Sequence, residues 1–126
     1  FCYDYNTLAW NINNIRRKKM AIKHATDATI ADMIGNGITL VDFWASWCGP
    51  CRMFGPIFEA TSEKTTDANF VKFEIDESNR QTPIKYGIRS IPSVLAFKNG
   101  ELVEARTGVM DEDTLIAWIE ELKGKQ

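Results

Sequence analysis

Residues 38–45, Ile-Thr-Leu-Val-Asp-Phe-Trp-Ala, constrain the fold most, because the run is largely apolar at odd and even positions alike. A half-solvated strand alternates polar with apolar residues, whereas a run with no polar face belongs to a strand covered on both sides. Trp47-Cys48-Gly49-Pro50-Cys51 follows almost at once, and Phe54, Ile57 and Phe58 then recur at helical spacing. Two cysteines therefore stand at a strand-to-helix junction. The first amides of a helix have no partner within it, so a sulfur held there meets N–H donors and the positive end of the helix dipole. The thiolate, not the thiol, is the nucleophile, and lowering its acid constant from about 8.5 toward neutrality makes Cys48 reactive at cell pH. Gly49 is expected to let the backbone turn without a Cβ clash, and Pro50 to fix φ where its missing N–H costs nothing.

Strand-like and helix-like segments alternate from Met20 onward. Ala21–His24 reads as a weak strand; Thr26 or Asp27 is expected to cap a helix with Ile30, Met33 and Ile34 on one face, stopped by Gly35-Asn36-Gly37. Pro56 lies inside the helix that begins near Pro50 and is expected to remove a backbone bond and bend its axis. Phe70–Ile75 reads as a strand with Val71, Phe73 and Ile75 inward against Lys72 and Glu74, and a short helix follows around Thr82–Tyr86. Ser93–Phe97 and Leu102–Thr107 are strand-like runs joined through Asn99-Gly100, a pair suited to a type I′ turn. Asp111 is expected to cap a last helix with Leu115, Trp118, Ile119 and Leu122 on one stripe, where Trp118 reads as core. The order βαβαβαββα implies an α/β fold, a mixed central sheet with helices on both faces.

The 126 residues, 44% hydrophobic, suffice for one domain with a core that needs no disulfide staples or structural metal. Residues 1–19 carry Asp4 against Arg16, Arg17, Lys18 and Lys19, a net +3 that leaves −5 for the rest of a chain of net −2. An acidic body speaks against nucleic acid as a partner. Residues 1–19 show no sustained period and read as an appendage to a domain at 20–126, with the basic block, Cys2 and Trp10 on a solvated tail. Met20 is a candidate start, the residues before it being a cloning remnant, upstream translation or a true extension. No apolar run approaches the roughly 18 residues that cross a bilayer, and no signal-peptide pattern is present, so a soluble protein and no membrane partner are expected. Three cysteines, two of them close together, do not make the framework of a secreted mini-protein and fit a reducing cytoplasm.

A Cys-x-x-Cys at such a junction is a redox dithiol, half of a zinc site, or two inert cysteines. Zinc lacks partners: Cys2 and His24 are the only other strong sulfur or nitrogen ligands, and neither belongs to a second short-spaced pair. The redox reading is favoured and no metal is expected. Asp42 is the second informative residue, because a carboxylate in an apolar strand is costly unless it is neutral, hydrated or paired.

Three segments carry a family resemblance: Val41-Asp42-Phe43-Trp44-Ala45-Ser46-Trp47-Cys48-Gly49-Pro50-Cys51-Arg52-Met53, Lys85-Tyr86-Gly87-Ile88-Arg89-Ser90-Ile91-Pro92-Ser93 and Phe97-Lys98-Asn99-Gly100. From about Met20 to the C-terminus the chain resembles the thioredoxin family in the order and spacing of these motifs. The resemblance implies the thioredoxin fold and a protein disulfide reductase. Cys48 would be the nucleophile, exposed ahead of the helix, and Cys51 the shielded resolving thiol. Asp42 would act through water as the proton acceptor behind Cys51, with an acid constant raised by burial, and Lys72 would lie near it. Ile91-Pro92 matches a cis-proline facing the disulfide, and Trp47, Gly49, Pro50, Ile91, Gly108 and Val109 would form an apolar docking surface along which an extended substrate pairs. The implied partners are a thioredoxin reductase, which draws on FAD and NADPH, and disulfide-containing proteins. The chain itself, a monomer, would bind no cofactor beyond its dithiol. Ser46, Gly55 and Ser90 depart from common family residues, with Gly55 expected to add flexibility beside Pro56. Gly49-Pro50 speaks against a strong oxidant.

Overall fold

The computed structural model describes residues 22–124. The expected appendage at 1–19, with Cys2, Trp10 and the basic block, and the positions Met20 and Ala21 lie outside the described residues. The chain runs β1 (Ile22–Ala25), α1 (Ile30–Met33), β2 (Ile38–Trp44), α2 (Gly49–Lys64), β3 (Asn69–Glu74), α3 (Gln81–Lys85), β4 (Ser93–Lys98), β5 (Glu101–Thr107) and α4 (Glu112–Gly124). This is the expected element order. The five strands form one sheet in the order β1-β3-β2-β4-β5. β1 and β2 flank β3 in parallel, and β4 pairs antiparallel with both β2 and β5.

β2 is central, as a strand without a polar face must be. Its pleat sends Ile38 and Leu40 to one face, where Phe54 and Phe58 of α2 and Leu115, Trp118, Ile119 and Leu122 of α4 cover them. Val41 and Phe43 point to the other face, against Ile30, Ile34, Val71, Phe73, Leu95 and Phe97. A fully buried Leu or Phe stabilises by about 1.5–3 kcal/mol, so the two layers clamp the sheet from both sides. β3 keeps the expected alternation, with Val71, Phe73 and Ile75 on one face, and adds Phe70, buried on the α2 face. A strand between two parallel neighbours is covered on both faces.

The first helix is a single turn; of its two expected caps, Thr26 bonds at its start, its carbonyl accepting from Ile30 N at 3.0 Å, and Asp27 acts elsewhere. Thr29 occupies the cap position, with its hydroxyl accepting from the Thr26 amide at 2.9 Å. The Asp27 carboxylate reaches across the fold to the start of α3, accepting from Gln81 N at 3.1 Å and Thr82 N at 2.8 Å. α2 continues through Pro56, whose missing N–H leaves the Arg52 carbonyl without its helical donor. The β4–β5 turn has Asn99 at φ 53° and Gly100 at φ 89°, the left-handed pair that a type I′ turn needs. Asp111 caps α4 as expected, its Oδ1 accepting from Thr114 N at 2.8 Å. Trp118 is core, and its Nε1 donates to Glu104 Oε1 at 3.0 Å beneath the Arg106 guanidinium.

Candidate active site

β2 ends at Trp44 and the chain turns through Ala45–Trp47, with Cys48 N donating to Ala45 O at 3.1 Å. Cys48 is the cap of α2 in extended backbone, and it forms a disulfide with Cys51. Of the helix-start amides, that of Cys51 donates to Cys48 Sγ, at 3.2 Å. The expected contrast in exposure is narrow: Cys48 is 6% exposed and Cys51 3%. Ile91, from a loop 43 residues downstream, covers Cys48, with its carbonyl oxygen 3.9 Å from the sulfur. The two cysteines differ instead in what they face, since Cys51 borders a cleft beside α2 and Cys48 faces the Ile91 loop. The expected reason for Gly49 does not hold, because a Cβ there would meet open space and its φ is not left-handed.

Asp42 projects from β2 on the α2 side and is 1% exposed, with both carboxylate oxygens lacking a hydrogen-bond partner among the described residues. Burial raises its pKa to about 7, against the opposing pull of Lys72. Asp42 and Lys72 stand opposite each other in the parallel β2–β3 register. The Lys72 side chain is only 12% exposed, so it is not a solvated strand lysine, and its Nζ pairs with Glu59 of α2 at 3.1 Å. That ammonium also lies 5.7 Å from the Trp44 ring centroid. Asp42, Trp44, Cys51, Gly55, Glu59 and Lys72 border one cleft of about 290 Å³. The carboxyl and the second cysteine thus border the same cleft.

The Ile91–Pro92 bond is cis. The Pro92 carbonyl accepts from Gly108 N at 2.8 Å, which ties the Gly108-Val109 loop to the proline. Ile91 N–H has no partner among the described residues, and the Ile91 carbonyl faces only Cys48 Sγ. Around this edge Trp47 is 74% exposed, Gly49, Pro50, Gly108 and Val109 are exposed, and Ile91 is half-buried. Met53, also exposed, extends the apolar surface. Sequence reasoning did not single it out, although its place two residues after Cys51 on the first turns of α2 was a signal. Glu59 was missed as well, and at Gly55 a Cβ would come within 3.3 Å of Lys72 Nζ. No cluster of three or more His, Cys, Asp or Glu side chains suited to a metal lies among the described residues.

A disulfide at a strand-to-helix junction, backed by a buried carboxyl and faced by a cis-proline, invites comparison with known proteins. The thioredoxin family model matches residues 19–121. The chain belongs to the thioredoxin family. It is 42% identical over 97 residues to thioredoxin of Bacillus subtilis (strain 168), covering 76% of this chain and 92% of that one. Thioredoxin of Rickettsia bellii (strain RML369-C) is 51% identical over 81 residues, 64% of this chain and 76% of its own. Among solved structures, a mutant thioredoxin from Halobacterium salinarum NRC-1 superposes with a TM-score of 0.75 at 34% identity, covering 83% of this chain and 93% of that one. The thioredoxin fold expected from the sequence is thereby shown, and so is the reaction class. This thioredoxin-family chain is a thiol-disulfide oxidoreductase, a protein disulfide reductase whose redox-active pair is Cys48 and Cys51.

Proposed function

We propose that the reaction proceeds with Cys48 attacking and Cys51 resolving. In the dithiol state the Cys48 thiolate, favoured by the Cys51 amide, attacks one sulfur of a substrate disulfide. The Cys48–substrate bond forms as the substrate S–S bond breaks, and the other substrate sulfur leaves as a thiolate. Cys51 then gives its proton through water to the Asp42 carboxylate and attacks Cys48 Sγ, expelling the second substrate thiolate. The substrate gains two electrons and is reduced; the chain ends as the Cys48–Cys51 disulfide, and the leaving thiolates take up protons from solvent. A base working near neutrality needs an acid constant near 7, the direction in which burial moves Asp42. Lys72 tempers that shift. The observation that carries this reading is Asp42, buried and unpartnered on the cleft that Cys51 borders.

Substrate docks in extended form along the Ile91 backbone edge, beside the buried Pro92 and over Trp47, Gly49, Pro50, Gly108 and Val109; the Ile91 N–H, without a partner among the described residues, supports this. The disulfide is returned to the dithiol by a thioredoxin reductase, to which the FAD and NADPH belong. The setting is the cytoplasm, the protein acts as a monomer, and residues 20–126 form the catalytic domain behind an appended 1–19. No helix among the described residues is long and apolar enough to cross a membrane. NADPH consumption with a thioredoxin reductase and insulin tests direction and partner together: turnover lost in Cys48→Ser and Cys51→Ser is expected. Turnover that survives either substitution would refute the roles given to the two sulfurs.

A further inference from the structure

The cation nearest the buried carboxyl is bound to a different carboxylate. Lys72 stands opposite Asp42 in the sheet, yet its ammonium bonds Glu59 Oε1 at 3.1 Å while both Asp42 oxygens lack a hydrogen-bond partner among the described residues. Two features seat the ammonium there. The Trp44 ring lies beside it, centroid 5.7 Å away, within cation–π range. Gly55 leaves bare backbone where a Cβ would approach Nζ to 3.3 Å. Gly55 and Glu59 are four residues apart on α2, so they share one face of the helix and one wall of the cleft.

We propose that Glu59 is a positioning residue: by holding the Lys72 ammonium at the outer edge of the cleft, it keeps the cation from pairing directly with Asp42 and leaves that carboxyl free to accept the Cys51 proton. This rests on the reading of Asp42 as proton acceptor. A directly paired Lys72 would favour the ionised carboxylate and weaken it as a base, and the loss of the Glu59 charge acts in the same direction. The other charged or titratable groups bordering the cleft are Cys51 and Arg52, both on α2. Arg52 is engaged elsewhere, its Nη2 donating to Ser46 O at 2.9 Å. On β4 the position paired with Asp42 is Val94, and α4 presents apolar side chains to this layer.

The test is a carboxyl-carbon NMR titration of Asp42 in the full oxidised chain, with Glu59→Gln, Lys72→Met and the double variant, alongside the pH profile of mixed-disulfide resolution. Glu59→Gln is expected to move the Asp42 midpoint acidward by up to about one pH unit, roughly tenfold more ionised below both midpoints. In the Lys72→Met background the same substitution should move it by less than about a third of that, because the effect passes through the ammonium. An unmoved midpoint, or an equal shift without Lys72, overturns the proposal. A midpoint that moves with a resolution profile that does not would uphold the positioning by Glu59 and refute the assignment of Asp42 as acceptor.

Discussion

Asp42→Asn should stabilise the protein at neutral and alkaline pH and leave it nearly unchanged in acid. Burial carries the carboxyl from its ordinary 3.8 to about 7, with Lys72 opposing. A raised folded-state pKa means that the folded protein holds the proton more tightly than the unfolded chain. The associated stability is therefore fully present below pH 3.8, fades as pH rises, and is gone above about 7. A gap of about three pH units corresponds to about 4 kcal/mol. Asparagine has the same shape, never ionises, and leaves a polar group as poorly partnered as the protonated acid is. The variant should thus exceed the parent by up to about 4 kcal/mol at pH 8 and by about zero at pH 4. Urea denaturation of the oxidised proteins at half-unit steps from pH 4 to 8 reads the difference directly. A difference that stays constant across that range would refute the reasoning, since it would show that Asp42 titrates alike in both states. The same variant should slow resolution of the mixed disulfide near neutral pH.

Cys51→Ala should accumulate a mixed disulfide through Cys48 when given a disulfide protein, detectable by non-reducing electrophoresis and mass spectrometry; a mixed disulfide that fails to build up would reverse the assigned roles. Trp47→Ala, at a site 74% exposed, should change stability by no more than about 0.5 kcal/mol yet raise KM for a protein disulfide by about tenfold, with little effect on a small disulfide. Asp27→Ala should cost about 1 kcal/mol at pH 7 by leaving the Gln81 and Thr82 amides without their acceptor. Desolvation raises the Asp27 pKa, but hydrogen bonds from Thr82, Gln81 and Arg80 outweigh it and hold the carboxyl below 3.8. That stability is present above pH 3.8 and is lost as pH falls further, so denaturation at pH 3 should show a smaller gap than at pH 7.

What was legible in the chain was local. The β4–β5 turn follows from Asn99-Gly100, α4 from its apolar stripe and Asp111, and the burial of Asp42 from the apolar residues on either side of it. What was not legible depends on partners distant in sequence. Asp27 looks like the cap of the helix that follows it, but its acceptors serve amides 54 and 55 residues away. Cys48 precedes a helix and so reads as exposed, until the Ile91 loop is packed over it. Gly55 reads as flexibility because the atom nearest to where its Cβ would lie, 3.3 Å away, belongs to a lysine on another strand. The cis bond before Pro92 has no local signal in the residues and followed only from the family resemblance.

The site itself is a consequence of strand register. Parallel pairing of β2 with β3 sets Asp42 opposite Lys72, and antiparallel pairing with β4 sets Phe43 opposite Ser93. The second pairing means that β4 begins where β2 ends, so residues 91 and 92, just before β4, must lie beside the turn that delivers Cys48. A one-residue slip of β2 would send Asp42 to the α1 face, away from Cys51, and would offset the proline loop from the sulfur. Leu40, Val41 and Phe43, each fully buried, forbid that slip, because it would exchange the two sets of side chains between differently shaped layers. The apolar residues flanking Asp42 therefore do more than bury it. They hold the carboxyl, the dithiol and the proline loop in the one register that puts all three at the same edge of the sheet.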